Sequence, residues 1–316
     1  THALIEGGIE FSNLGLAVID EQHKFGVMQR ARLKKKGENL DILVMTATPI
    51  PRTLALTVYG DLEVSIIDEL PPGRRKVITQ RLSEKEAYQV VIDEVKKGRQ
   101  AYIVYPIINE SDKLELRAAV QMAEELIATV FRNFRVALLH GQMKSEQKEQ
   151  IMMKFLNREF DILITTSIIE VGIDVANASL MVIEHSERFG LATLHQLRGR
   201  VGRGSEQSVC ILLGEPKTEE AKKRLQTMME TDDGFRIAEE DLRIRGAGEF
   251  FGLQQHGLPE FKIGNIVSDY RELELARQAA FRLINEDHLL TLPENTIIRQ
   301  KFKEKFRGRF ALAGVG

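Results

Sequence analysis

Asp20 and Glu21 stand side by side directly after the apolar run Leu16-Ala17-Val18-Ile19. Two adjacent carboxylates at a strand end suit nucleotide hydrolysis. One can hold Mg²⁺, usually through water, and the next can orient or deprotonate the attacking water. Taken alone, the same pair also fits an acidic turn after a strand. Farther along runs His195-Gln196-Leu197-Arg198-Gly199-Arg200-Val201-Gly202-Arg203. Read as helix, Gln196, Arg200 and Arg203 are spaced i, i+4, i+7 and share a face. Two guanidiniums on one face suit a triphosphate, because arginine offers planar bidentate donors and keeps its charge. That is the chemistry of an arginine finger in phosphoryl transfer. A solvated basic turn is the plainer alternative. Gly199 and Gly202 weaken it, since glycine is costly in a surface helix unless something must approach closely.

Two further strand ends, His140-Gly141 and Thr165-Thr166-Ser167, offer hydroxyls and backbone N–H groups that a phosphate backbone could use. Each alone is a weak signal. The stretch Gly246-Ala247-Gly248-Glu249-Phe250-Phe251-Gly252 imitates a dinucleotide fingerprint, but its last glycine comes one residue late and it follows a helical pattern. His140, His185, His195 and Cys210 lack zinc-ligand spacing. No Gly-Lys dipeptide occurs, so the chain has no G-x-x-x-x-G-K-[ST] phosphate loop. Carboxylates and arginines without that cradle make half a nucleotide site.

These residues need a scaffold, and the sequence supplies one. Short apolar runs end in small or polar residues at Asp20, Thr46, His140, Thr165 and Glu184. Continuous apolar runs suit strands buried on both faces of a parallel sheet. Between them lie helical stripes, Leu116, Val120, Ala123 and Ile127, then Ile151, Met152, Phe155 and Leu156 with Ser145 as the expected N-cap. The alternation implies βαβ units, with ligands outside the carboxyl ends of the strands. The Pro71-Pro72-Gly73 stretch marks a connection between units, and strand signals stop after Gly214. The expected division is therefore 1–76, 77–214 and 215–316, the last helical. A run of Arg299, Lys301, Lys303, Lys305, Arg307 and Arg309 near the end reads first as a solvated face.

The bulk properties narrow the class. The 316 residues carry 44 Lys+Arg against 46 Asp+Glu, a net charge of −2, which argues against a uniformly basic nucleic-acid coat. With 43% hydrophobic and 28% charged residues the chain is not a disordered one. No run approaches a membrane span, and a single cysteine excludes a disulfide framework and suggests a reducing, cytoplasmic compartment. The chain starts Thr1-His2-Ala3-Leu4, with no initiator Met, so a processed chain or a piece of something larger is expected.

Together the segments resemble the motor of RecG-type DNA helicases, within helicase superfamily 2. Residues 18–30 resemble that family's motif II and residues 46–53 its motif III. Leu139-His140-Gly141 and residues 165–174 resemble second-lobe motifs up to motif V, and residues 187–203 motif VI. Residues 234–245 and Gln255 resemble the translocation hairpin shared with the transcription-repair coupling factor. Gly246-Ala247-Gly248 is closer to the coupling factor, whereas Gln22-His23, His195 and Gly204 favour RecG.

The resemblance implies an α/β fold: part of a first RecA-like lobe, a complete second RecA-like parallel-sheet lobe, and a helical C-terminal extension. It implies ATP and Mg²⁺ as cofactors, with Asp20 on the metal and Glu21 activating water. His23, Thr46 and Thr48 would couple ATP state to DNA contact. Arg200 and Arg203 would reach the triphosphate, supported by Gln196, with Gly172 and Asp174 nearby at the lobe interface. His140, Gly141, Thr165 and Thr166 would meet DNA, and Arg243, Arg245 and Gln255 would tie the hairpin to the motor. The implied function is a monomeric ATP-dependent helicase or translocase on branched DNA in repair and recombination, read independently of base sequence and away from membranes. The implied piece begins inside the first lobe, without the wedge domain. The alternatives are a coupling-factor-like translocase and a non-catalytic DNA-binding module.

Overall fold

A computed structural model describes residues 9–20, 33, 36–37, 40–47, 65–67, 69, 74–106, 113–166, 174–245 and 269–305. The chain divides into two compact units, Glu63–Glu260 and Thr1–Leu62 with Phe261–Gly316.

The larger unit is built on six parallel strands: β3 (Ile78–Arg81), β4 (Gln100–Val104), β5 (Val136–Leu139), β6 (Ile162–Thr165), β7 (Ala178–Ile183) and β8 (Val209–Leu212). Their order across the sheet is β3-β8-β7-β4-β6-β5. Every residue of β4, β6 and β7 is buried, as continuous apolar strands covered on both faces must be. The polar edge strand β3 and the strands β4 and β8 add to the runs that stand out in the sequence. The parallel sheet with flanking helices has the RecA-like architecture that the resemblance implies.

One face of the sheet carries α1 (Glu84–Lys96) and α2 (Lys113–Thr129), which bury Ala87, Tyr88, Val91, Ala119, Ala123 and Phe131 in a common core. Helix α1 starts at a complete capping box: Ser83 N–H donates to Glu86 Oε2 at 2.9 Å, and Glu86 N–H donates back to Ser83 Oγ at 3.4 Å. The other face carries α3 (Ser145–Leu156), α4 (Leu191–Arg198), α5 (Glu219–Glu230) and α6 (Gly234–Arg245). Met152 and Phe155 of the expected α3 stripe are fully buried, which contributes roughly 1.5–3 kcal/mol each. The N-cap of α3 is Lys144, not Ser145, which is already helical; Lys144 N–H donates to Gln147 Oε1 at 3.2 Å.

Helices α5 and α6 lie past Gly214, yet Leu225, Met228 and Ile237 sit in the same core as β7, β8 and α4. They share the sheet's unit.

In the smaller unit β1 (Leu16–Ile19) pairs in parallel with β2 (Asp41–Val44), with Val18 opposite Leu43. It also holds α7 (Tyr270–Glu286) and α8 (Thr296–Lys305). Asp287 ends α7 and accepts hydrogen bonds from Thr291 N, Leu292 N and Asn295 Nδ2 at 2.8–2.9 Å. The Asn295 amide leads in holding its carboxyl down to about 2. Arg299, Lys301 and Lys303 of α8 are exposed.

Candidate nucleotide and nucleic-acid sites

Strand β7 runs to the carboxyl edge of the sheet, α4 runs back across its face, and β8 starts again at the amino edge. Residues 199–208 therefore lie at the amino edge, where Ser208 O accepts from Ile78 N–H at 3.0 Å, at the first residue of β3. The arginine pair sits there, opposite the edge at which ligands were expected.

The expected shared helical face is corrected as well. Helix α4 ends at Arg198, and only Gln196 of the three belongs to it. Beyond it the backbone tightens, with Arg200 N–H bonded to Leu197 O at 3.0 Å and Gly202 at φ +83°. A Cβ on Gly202 would meet Val77 Cγ2 at 2.7 Å. What approaches this glycine is the segment entering β3, whose Arg74 Nε also donates to Gly202 O at 3.1 Å.

The turn still gathers the expected charges. Arg203 Nη1 lies 3.6 Å from Asp174 Oδ1, and Arg203 Nε reaches Gly199 O at 3.4 Å. Arg200, Arg203 and Asp174 all act on the hydroxyl of Tyr102 from β4; burial raises its pKa most, the two arginines oppose this, and Asp174 adds to it. Both contacts of Arg203 are long, so its charge is available to an anionic ligand.

Arg198, given no role in the sequence reading, anchors this turn. Only 4% exposed, it donates through Nη1 to Met228 O (3.0 Å) and Thr231 O (2.9 Å) at the end of α5. Its Nη2 lies 3.1 Å from His195 Nδ1. Arginine only donates, so Nδ1 accepts and the imidazole is neutral. Burial, then the Arg198 charge, holds His195 down to about 4. Cys210 is fully buried and its thiol is pushed up to about 12 by burial.

A second cluster occupies the carboxyl edge of β5 and β6. His140 Nδ1 and Thr166 Oγ1 are both shut off from solvent without a hydrogen-bond partner among the described residues. Thr166 N–H donates to Leu139 O at 3.1 Å, next to His140, and Thr165 closes β6. Lys148 of α3 donates to Gly141 O at 2.8 Å. Burial and then the Lys148 charge lower the pKa of His140. No described residue stands within 4 Å of a Cβ built on Gly141. Lys148 is not among the residues expected at the site. Its place in the first turn after a strand is the signal that points it back at that strand's end.

The hairpin residues separate. Arg245 pairs with Asp241 (3.1 Å) and lies against Gly190, where a Cβ would meet its Nη2 at 2.6 Å, so it links α6 to the start of α4. Arg243 pairs with Glu240 of its own helix at 2.6 Å. Asp20 follows β1 and Thr46 follows β2 in the smaller unit, both exposed. Glu21, His23, Thr48, Gly172 and Gln255 lie outside the described residues.

The described donors fit the implied cofactors in part. Mg²⁺ is commonly held by one or two carboxylates together with phosphates, which Asp20 can supply. Among the described residues there is no three-member His, Cys, Asp or Glu cluster that would hold a metal by itself. No described helix is long and apolar enough to cross a membrane.

Residues 69–205 match the helicase conserved C-terminal domain, and residues 231–313 match the family described as ATP-dependent DNA helicase RecG, domain 3, C-terminal. The ATP-dependent DNA helicase RecG of Synechocystis sp. is 53% identical over 290 residues, 91% of this chain and 35% of that protein. The Bacillus subtilis RecG is 48% identical over 305 residues, 95% of this chain and 45% of that protein. A structure of RecG bound to a three-way DNA junction superposes with TM-score 0.67 at 48% identity, covering 88% of this chain and 35% of that one. The chain thus spans 35% and 45% of the length of these two relatives. By motif content, sequence identity and fold, the chain is similar to a C-terminal part of RecG helicases.

Proposed function

We propose that this chain forms the second motor lobe, the hairpin region and part of the first lobe of an ATP-dependent helicase or translocase that remodels branched DNA, such as forks and Holliday junctions, in repair and recombination. The observation that carries this reading is the arginine turn. Arg203 presents a loosely held guanidinium beside Arg200 and Asp174, on a backbone fixed by Arg198 and Gly202. In this reading residues 1–76, 77–214 and 215–316 are the three functional segments. The protein acts as a cytoplasmic monomer and meets DNA through phosphate contacts, independently of sequence.

ATP with Mg²⁺ would supply a transferable phosphoryl group and charge neutralisation at the phosphates. Asp20 would hold the metal and Glu21 would take a proton from the attacking water, with His23, Thr46 and Thr48 relaying the state of the site. Arg200 and Arg203 would donate to the phosphates, with Gln196, Gly172 and Asp174 setting their surroundings. His140, Gly141, Thr165 and Thr166 would face the DNA backbone. The unpartnered buried atoms of His140 and Thr166 support that role, since buried polar groups are rarely left unsatisfied. Arg245, resting on Gly190, would carry motion from α4 into α6 and onward to Gln255, with Arg243 beside it.

The test is DNA-stimulated ATP hydrolysis and junction unwinding by a full-length protein containing this chain, with Glu21→Gln as the control. Hydrolysis on linear and branched duplex alike, with no junction unwinding, would overturn the branched-DNA assignment. Displacement of stalled RNA polymerase would favour the coupling-factor alternative, which Gly246-Ala247-Gly248 supports.

A further inference from the structure

Strand β4 leads into α2 on one face of the sheet, and β7 leads into α4 on the other. The two strands are neighbours, so the winding of the chain reverses between them. Their carboxyl ends border the topological switch point, where an open α/β sheet leaves a crevice. That switch point holds Glu184, directly after β7, and Tyr105, directly after β4. Tyr88 enters from α1 and donates through its hydroxyl to Glu184 Oε1 at 2.7 Å. The Tyr88 and Tyr105 hydroxyls also interact with each other. Glu184 and Tyr88 are each 7% exposed and Tyr105 4%. None of these residues has a part in the site described above.

We propose that Glu184 is a proton-operated clamp on this crevice. Neutral, it sits dry between α1 and the segments leaving β4 and β7; on losing its proton it draws water in and parts them.

The surroundings of the carboxyl favour the neutral form. From α1 it faces Tyr88 and, at longer range, Glu84; from the end of β4 it faces the neutral Tyr105 through Tyr88. The charged group acting on it is thus another anion. Burial first, and then Glu84, push its pKa up to about 7, against the Tyr88 hydrogen bond, which favours the charged form. An ionised carboxylate in such a pocket is costly, and admitting water by opening the crevice relieves the cost. Two backbone bonds report on the opening: Glu184 N–H to Val104 O and Tyr105 N–H to Thr165 O, both 2.8 Å. The second borders the edge that carries Thr166 and His140.

The clamp stands apart from the helicase reading, because its test needs neither DNA nor ATP. Thermal unfolding of the 316-residue chain is followed from pH 5 to 8.5 for the parent, Glu184→Gln and Tyr88→Phe. A folded-state pKa above the unfolded one makes the Glu184 contribution fully present below about 4.5 and lost as the pH rises through about 7. The midpoint of Glu184→Gln minus that of the parent should be small at pH 5 and rise through pH 7. It should level off at an advantage on the order of 2–4 °C. Taking the difference cancels groups such as His195 that titrate in both proteins. Exchange of the Tyr105 and Glu184 amides, corrected for intrinsic pH dependence, should speed up through the same range in the parent only. Tyr88→Phe should move the transition to higher pH, since it removes the bond that favours the charged form. A midpoint difference independent of pH, parallel exchange profiles, or an unmoved transition in Tyr88→Phe would each overturn the clamp.

Discussion

Arg203 and Asp174 approach to 3.6 Å across the amino edge of the sheet, although β7 and α4 separate them in the chain. The pair joins the ends of the two segments that resemble motifs V and VI. Both side chains remain partly exposed, at 32% and 57%, so the contact orients the guanidinium more than it stabilises the fold. Asp174→Asn should therefore change unfolding free energy by less than about 0.5 kcal/mol in urea titration. A loss of several kcal/mol would mean that the pair is structural.

In a full-length protein, Arg203→Ala should lower the rate of ATP hydrolysis by on the order of 10³-fold. ATP affinity should change by less than about tenfold, because a finger acts mainly in the transition state. Steady-state hydrolysis and nucleotide titration on one preparation separate the two. Equal losses in both would reduce Arg203 to a binding residue.

Arg198 should matter for stability. Arg198→Ala leaves the carbonyls of Met228 and Thr231 without their donor in a buried place, and should cost roughly 2–4 kcal/mol in denaturant unfolding. Lysine should not rescue it, since one ammonium cannot reproduce the fork that also reaches His195.

Acid should act on the other face of the sheet through His195. Its folded-state pKa of about 4 lies below the ordinary 6.5. The stability from keeping it neutral is therefore present above pH 6.5 and lost as the pH falls toward 4, at most on the order of 2–3 kcal/mol. Urea unfolding at pH 7.5 and 4.5 should therefore show stability changing less favourably toward acid in the parent than in His195→Gln, by about that amount. Glu184 titrates in the opposite sense over an overlapping range, so the parent's own profile should be flatter than either variant's.

Residues 1–316 alone should show no DNA-stimulated ATP hydrolysis, because the chain contains no Gly-Lys phosphate loop. Any DNA binding should weaken steeply between 50 and 200 mM salt, since phosphate contacts release counterions. Turnover by the pure chain that Glu21→Gln abolishes would refute the first expectation.

Much of this was legible in the sequence because burial on both faces writes itself as unbroken apolar runs, as in Ile162-Leu163-Ile164. Edge strand β3 did not announce itself: Ile78-Thr79-Gln80-Arg81 is exposed at both ends and only half-buried between. The arginine turn was found by residue type but misjudged in shape. Spacing alone could not reveal that Gly202 adopts a positive φ against Val77. Arg198 and Lys148 escaped because their partners, the carbonyls of α5 and of Gly141, are fixed only by tertiary contacts. Glu184 looked like a polar strand tail; its burial depends on a tyrosine almost a hundred residues upstream.

The helices beyond Gly214 carry a consequence for biosynthesis. Leu225, Met228 and Ile237 close the core beneath β7, β8 and α4. A nascent chain that has emerged only as far as β8 still bares that apolar face. On the ribosome the sheet must wait for α6 to clear the exit tunnel before it can seal, which makes this stretch of translation the natural moment for a chaperone to hold it.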